Sequence, residues 1–222
     1  MGAPLTSEVR DGVAVIRMDD GKANAFSFEM LDALGAALDQ AEQEARALVL
    51  VGRPGRFSGG FDLAVMNQGG EAMVRLVTMG GRLALRLYEF PIPVVIGCTG
   101  HALAMGAVLL CAADLRIGAA GAWKIGLNEV AIGLALPVFA LELARERLAR
   151  GYLQRATVLA EIYDGEEAMA AGFLDRIELP DQVEAAAIEA ARGLAALPRE
   201  AHQATKRALR ADALATIRAS LR

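Results

Sequence analysis

The stretch from Pro93 to Gly133 constrains the fold of this chain more than any other part of the sequence. Its β-branched run Val94–Ile96 leads through two glycines into Ala102–Cys111, 10 uncharged residues that we interpret as a buried helix. A strand therefore feeds the start of a helix. The first N–H groups of a helix lack intrahelical partners and carry the positive end of the helix dipole, so this junction suits an oxygen that gains negative charge.

One carboxylate, Glu129, lies in the otherwise apolar segment Ile125–Leu136. An acid in such surroundings is usually paired or functional, and the nearest base in the sequence, Lys124, lies outside the segment. Its neighbours Ile125, Leu127, Val130 and Ile132 would desolvate the carboxylate and raise its pKa, which makes a better base. From the residues alone, an acid in an exposed loop is an equally good interpretation.

Composition limits the classes of protein to consider. The 222 residues are 55% hydrophobic and 23% charged, which is enough for one well-filled core. A net charge of −4 and few aromatic residues argue against nucleic acid as a partner. We expect neither a membrane span nor secretion, and we predict a cytoplasmic protein, because no apolar run reaches about 18 residues and no basic leader begins the chain. Cys98 and Cys111 have apolar neighbours, so we expect core thiols and no metal site.

Strand and helix patterns alternate through the first 136 residues. A hairpin around Asp11-Gly12, a helix capped by Ser27, the strand Ala47–Val51 and a helix over Glu71–Tyr88 precede the central stretch. Such units predict a mainly parallel sheet that is covered by helices and binds ligands at the carboxyl ends of its strands.

The C-terminal third is predicted to be helical, with one further strand at Leu174–Ile177. We divide the chain into a core, residues 1–178, and a helical C-terminal appendage, residues 179–222. Helices are expected over Pro137–Leu148, Gly151–Ala160, Glu166–Ala171, Gln182–Ala196 and Glu200–Leu221.

A second candidate for chemistry is the glycine-rich loop from Phe57 to Asp62. Its two glycines allow a sharp turn and a close approach to a ligand, and Asp62 can cap the following segment and leave the N–H of Phe61 free. The spacing fits neither a phosphate-binding loop nor a dinucleotide fingerprint. Taken alone, the loop is better explained as a tight turn.

Three segments together carry a family resemblance: FSGGFDL, TGHALAMGAVLLCAADLRI and IGLNEVAIGL. In order and spacing they resemble the crotonase, or enoyl-CoA hydratase/isomerase, superfamily, and the likeness extends to about Ile177. The resemblance implies an α/β fold, a crotonase-like spiral of β-β-α units with a helical C-terminal region that assembles into a homotrimer or hexamer. It also implies an acyl-CoA thioester as substrate, with no separate cofactor.

The resemblance assigns roles to particular residues. The thioester oxygen would lie between the backbone N–H groups of Phe61 and Met105, where the family usually has glycine at the second position. Coenzyme A would be held by the segments Lys22–Ala25 and Phe61–Ala64 and by these two donors. Its predicted contacts are Lys22, Ala23, Ala25, Phe61, Asp62, Leu63, Ala64 and Met105. A frequent lysine of the family is replaced by Ala64, so we expect the phosphates to rely on Lys22 or on the basic last helix with Lys206 and Arg207.

The acidic residues separate activities within the superfamily. Hydratases resemble one another in having two glutamates, and the position of the first is Val108 here, whereas the second is Glu129. Adding water to a double bond needs an acid and a base, but moving a double bond needs one base that removes a proton and returns it elsewhere. The segment IGLNE is similar to that of the monofunctional delta-3, delta-2 enoyl-CoA isomerases. We therefore predict isomerisation of 3-enoyl-CoA to 2-enoyl-CoA, with Glu129, Phe61 and Met105 as catalytic residues.

Three alternatives compete with this prediction. A hydratase-like or other enolate-forming enzyme would use the same pocket, and a non-catalytic acyl-CoA-binding protein would keep the pocket but not need Glu129. The segment GHALAMGA also resembles the active-site helix of Clp-type serine peptidases, but Ala104 occupies the position of their nucleophilic serine.

Overall fold

The computed structural model describes residues 3–222, and within them two sheets, one mainly parallel and one parallel, form the framework. The nine strands that it contains are β1 Leu5–Arg10, β2 Val13–Met18, β3 Ala47–Val51, β4 Gly55–Ser58, β5 Val94–Cys98, β6 Gly100–Leu103, β7 Leu115–Ala119, β8 Ile125–Gly126 and β9 Arg176–Glu178. The large sheet has six strands in the order β1-β2-β3-β5-β7-β9, and the small sheet has three in the order β4-β6-β8. Among the pairs of these strands within residues 3–222, only the β1–β2 hairpin is antiparallel.

Ten α-helices are described, four of them before residue 113 and six after it. They are α1 Phe28–Glu44, α2 Leu63–Met66, α3 Gly70–Tyr88, α4 Met105–Ala112, α5 Val138–Arg147, α6 Arg150–Thr157, α7 Gly165–Ala171, α8 Val183–Leu194, α9 Arg199–Leu209 and α10 Ala211–Ser220. None of the helices described over residues 3–222 has the length and apolarity that crossing a membrane would require.

The predicted repeat of strand and helix units is confirmed, with one more strand in each unit. The chain enters the large sheet at β3, β5 or β7 and crosses to the small sheet at β4, β6 or β8; a helix then brings it back. The second strand of each unit was implied by the family resemblance alone, because the strands of the small sheet are only 4, 4 and 2 residues long, too short to show an alternating pattern.

Two predicted helices are wrong in part. The segment Ala102–Leu103 belongs to β6, since Ala102 pairs with Ile125 of β8, and the helix begins only at Met105. The expected helix over Glu200–Leu221 is two helices, broken at Arg210. The buried guanidinium of Arg210 donates to the carbonyl oxygen of Tyr88 and to Asp114, and these tertiary contacts leave no glycine or proline signal in the sequence.

A buried ionic cluster joins the C-terminal helices to the core. One Asp114 oxygen accepts from Nζ of Lys206 (2.7 Å) and from the N–H of Val94 (2.8 Å), and the other accepts from Nη2 of Arg210 (2.8 Å). Helix α8 covers the opposite face of the large sheet through Ala187 and Ala191, both fully buried. The division of the chain at residue 178 stays a prediction.

Candidate active site

A cavity of about 740 Å³ lies where the carboxyl ends of β4 and β6 meet helices α2, α3 and α4. Apolar side chains form most of its wall, and Glu129 is the one charged residue among those that line it within residues 3–222. The cavity brings together Phe61, Leu63, Met105 and Glu129 from the predicted site, together with Ala104 and Val108. Three segments distant in sequence therefore meet in one apolar space.

The glycine-rich loop lies directly against the start of helix α4. Gly60 has a φ of +96°, and a Cβ at this position would lie 3.0 Å from Cβ of Ala104 and 3.6 Å from the backbone nitrogen of Met105. A side chain here would be strained and would push the two segments apart. Glycine at this position therefore keeps the neighbouring Phe61 close to Met105.

The N–H of Phe61 is turned away from its neighbouring strand segment. The N–H of Phe26 donates to the carbonyl of Gly60 (2.9 Å) and that of Asp62 donates to the carbonyl of Phe26 (3.3 Å), in a single parallel bridge. Because successive backbone groups of an extended strand point to opposite sides, the N–H of Phe61 faces the other way. It has no acceptor among residues 3–222. Asp62 caps α2 as predicted, accepting from the N–H of Ala64 at 2.7 Å.

Met105 supplies a second N–H group without a partner in the described part of the chain. It is the first residue of α4, so its N–H has no intrahelical acceptor. The turn before it is strained, since Ala104 has φ 49° and ψ −121°, a conformation that non-glycine residues rarely adopt. The strain ends β6 abruptly and starts a helix on the next residue, which leaves the backbone donor at the cavity.

Glu129 begins a 3₁₀ turn, Val130–Ile132, and is only 9% exposed. Its Oε2 is buried without a hydrogen-bond partner among the described residues, and burial raises the pKa of Glu129 to about 7. Of the neighbours predicted to desolvate it, Ile125 and Leu127 are buried, whereas Val130 and Ile132 are about half exposed. A carboxyl group with this pKa can accept and return a proton near neutral pH.

Asn128 is a site residue that the sequence reasoning missed. It lines the cavity beside Glu129, and its Oδ1 is buried without a partner in residues 3–222. An unsatisfied buried acceptor is costly, so a ligand or a water that donates to it would be favoured. The available signal was its position within IGLNE, next to the acid.

The predicted coenzyme A contacts fall into two groups. Leu63 lines the cavity with the two N–H donors, whereas Lys22, Ala23, Ala25, Asp62 and Ala64 lie outside its wall. The loop from Lys22 to Ala25 is nevertheless adjacent, because the N–H of Gly59 donates to the carbonyl of Ala23 at 2.8 Å. It is held in shape by Asp20, whose carboxylate accepts from the N–H groups of Lys22, Asn24 and Ala25. These contacts stay a prediction.

Lys206, predicted from the sequence as a contact for the phosphates, is buried in this structure. It is 6% exposed, pairs with Asp114 and lines a separate cavity of about 410 Å³ beside α9. Arg207, next to it, is exposed. Lys206 therefore belongs to the ionic cluster of the C-terminal helices, and the assignment of the coenzyme A phosphates to Lys22, Lys206 or Arg207 stays a prediction.

The fold and this cavity define a protein of the crotonase type, and comparison with known families agrees. A family model described as enoyl-CoA hydratase/isomerase matches residues 8–221, so the chain belongs to that family. The predicted crotonase-like fold, with its β-β-α units and helical C-terminal region, is confirmed. The chain is thus an enzyme of the hydratase/isomerase superfamily, whose substrates are acyl-CoA thioesters.

Some proteins similar to this chain are named as isomerases and others as hydratases. An enoyl-CoA isomerase structure from Mycobacterium tuberculosis superposes with a TM-score of 0.95 at 48% identity, covering 100% of this chain and 97% of the other. Human mitochondrial enoyl-CoA delta isomerase 1 is 30% identical over 90% of this chain and 68% of its own length. A probable enoyl-CoA hydratase of Bacillus subtilis is 35% identical over 83% of this chain and 71% of its own.

Proposed function

We propose that this protein isomerises 3-enoyl-CoA to 2-enoyl-CoA, with Glu129 as the only acid–base group. The observation that carries the proposal is the cavity itself: one buried carboxylate of raised pKa, and Val108 where a hydratase would need its second acid. Moving a double bond requires one proton to leave C2 and one to arrive at C4, so a single carboxyl group serves for both steps.

The chain's own groups account for each step. The thioester oxygen accepts hydrogen bonds from the N–H groups of Phe61 and Met105, which stabilises the negative charge when C2 loses its proton to Glu129. The electron pair from the C–H bond delocalises over the thioester and the double bond as a dienolate. Glu129 then returns the proton to C4, and the double bond is left between C2 and C3. No atom is gained or lost.

Hydration of 2-enoyl-CoA is the second candidate, and Asn128 is the observation that favours it. Its unsatisfied Oδ1 lies beside Glu129 in the cavity and can hold a water. An amide does not exchange protons near neutral pH, however, so it cannot replace the missing second glutamate. We therefore expect hydration to be much slower than isomerisation.

The test is a direct comparison of the two reactions in purified protein. Formation of the conjugated thioester from 3-enoyl-CoA and loss of the same chromophore from 2-enoyl-CoA are followed by ultraviolet absorbance, at matched chain lengths. We expect isomerisation to be faster by about 100-fold or more, the usual contribution of one acid–base group. Faster hydration than isomerisation would overturn the proposal, and binding without either reaction would favour a non-catalytic acyl-CoA-binding protein.

A further inference from the structure

Helix α3 carries two adjacent glycines, Gly80 and Gly81, in the middle of its 19 residues. Glycine in a helix interior is less favourable than alanine by about 1 kcal/mol per residue, so two together are a considerable local cost. Neither has a positive φ, so backbone conformation does not require them. The space around each one explains its presence.

Gly80 makes room for the side chain of Phe61, one of the two predicted N–H donors, and also lies near the side chain of Met105. A Cβ on Gly80 would lie 2.5 Å from Cζ of Phe61 and 3.5 Å from Cε of Met105. The ring of Phe61 therefore rests directly on the backbone of α3. A methyl group cannot share this space unless the ring moves from its present position.

Gly81 faces a different set of residues. A Cβ there would lie 2.6 Å from Cδ2 of Leu221 and 2.8 Å from Cδ1 of Phe139. Phe139 also lines the cavity, but it supplies no predicted N–H donor. The two glycines thus have separate tasks, and only Gly80 touches the residues of the predicted oxyanion site.

We infer that Gly80 is a positioning residue for the reaction. Because Gly80 has no side chain, the Phe61 ring packs directly against α3, and this contact fixes the backbone N–H that binds the thioester oxygen. This inference rests on the proposed function and deepens it. Hydrogen bonds of Gly60 and Asp62 to Phe26 hold the backbone on either side of Phe61, and the contact of its ring with α3 is a further restraint on its position. A displacement of about 1 Å at a catalytic donor is enough to lower turnover about 100-fold.

The experiment uses Gly80→Ala, Phe61→Leu, the double variant, and Gly35→Ala as a control. Leucine lacks Cε and Cζ, the ring atoms nearest to the added methyl group, and keeps the backbone N–H. Gly35 lies in α1 with nothing within 4 Å of an added Cβ, so its change reports only the helix propensity. Measurements are kcat and KM with a short 3-enoyl-CoA and the thermal unfolding midpoint of each variant.

We expect Gly80→Ala to lower kcat about 100-fold with a smaller change in KM, and the double variant to regain the turnover of Phe61→Leu within about threefold. Without substrate, the unfolding midpoints should also be non-additive, with Gly80→Ala less harmful in Phe61→Leu than in the wild-type protein. If Gly80→Ala does not fold, a double variant that folds and has the same turnover as the single variant Phe61→Leu still supports the inference.

Three results would overturn it. These are a folded Gly80→Ala protein with wild-type turnover, a double variant no faster than Gly80→Ala, or failure of both to fold. If the wild-type protein does not isomerise 3-enoyl-CoA, the proposed function is contradicted, but the inference about Gly80 is not. In that case the unfolding midpoints alone decide the inference about Gly80. Non-additive effects of Gly80→Ala and Phe61→Leu on the midpoint would support the inference, and additive effects would overturn it.

Discussion

The side chain of Glu129 is buried among apolar residues, and one of its oxygens has no partner within residues 3–222. We expect Glu129→Gln to lower isomerisation by about 10,000-fold, the upper end of general-base contributions, because no other acid lines the described cavity. Binding of a saturated acyl-CoA should change little, since glutamine keeps the shape. Turnover and calorimetric affinity are measured on the same preparation. Retention of most of the activity would contradict the single-base mechanism.

The pKa of Glu129 also predicts the pH dependence of the rate. The carboxylate must be ionised to accept a proton, and burial raises its pKa to about 7. We therefore expect kcat/KM for isomerisation to rise with pH and level off above about 7. A rate profile that is flat between pH 5 and pH 8, roughly the range in which this group titrates, would exclude Glu129 as the base.

The same shift makes Glu129 costly for stability at neutral pH. Its pKa is about 7 in the folded chain against 4.5 for an unperturbed carboxyl, so unfolding releases a proton between these values. The free energy of unfolding should then fall by about 3 kcal/mol as pH rises through this window, and stay low above it.

Glu129→Gln removes this dependence. We expect the variant to be more stable than wild type above pH 7 and about equal near pH 4, as measured by denaturant unfolding across the range. Parallel stability profiles for the two proteins would show that the carboxyl group does not titrate in this way.

Met105 allows the backbone donor to be tested separately from the side chain. It is the first residue of α4, a position where helices tolerate proline, so Met105→Pro removes the N–H without breaking a hydrogen bond inside the helix. We expect a loss of about 100-fold or more in kcat. Met105→Ala serves as the matched control: it keeps the N–H, loses the same buried side chain and should change chain-length preference, so the difference in kcat between the two variants reports the donor. Wild-type turnover in a folded proline variant would exclude this donor.

At the scale of helices and strands, the ionic cluster of Asp114 holds α9 to the core. Its carboxylate is shared by two cations that are each less than 10% exposed, and burial lowers the pKa of Lys206 to about 8. Removing the one acid leaves both cations buried without it, so Asp114→Ala should cost about 3–5 kcal/mol of unfolding free energy.

Two further variants make the comparison specific. Lys206→Met should cost less than Asp114→Ala, because Arg210 and the N–H of Val94 still satisfy the carboxylate. Arg192→Ala breaks a bridge to Asp11 that is more than half exposed, and should cost at most about 1 kcal/mol. Denaturant titrations give all three values, and an equal loss for Asp114→Ala and Arg192→Ala would contradict this account.

The elements that could be predicted from the sequence are those with a local signal. Hydrophobic periodicity and the Ser27 cap locate α1, whose N-cap hydroxyl accepts from the N–H of Met30 as expected. The glycine-rich motif and Glu129 were found because glycines and a lone acid stand out in apolar sequence. The strained turn at Ala104, the break at Arg210 and the small sheet depend on contacts between distant segments, which leave no periodic pattern. Gly80 did leave a signal, a glycine pair inside a helical pattern, but its partner Phe61 is not visible from sequence.

At the scale of the whole molecule, the resemblance implies assembly into trimers or hexamers, which stays a prediction. Large apolar side chains that are exposed in the described chain, among them Leu159 at 68% and Leu209 at 79%, fit an unpaired subunit. Sedimentation velocity should give a multiple of three chain masses at assay concentrations. A single monomeric species would contradict the prediction.

The turn between β6 and α4 has a consequence for how this fold can change its chemistry. Ala104 has the abrupt strand-to-helix conformation of a nucleophile elbow and precedes a backbone N–H by one residue, yet its methyl group is inert. A serine or cysteine codon at this one position would place a reactive atom at the cavity wall without rebuilding the backbone. What separates proton transfer from acyl transfer in this architecture is then a side chain and a nearby base.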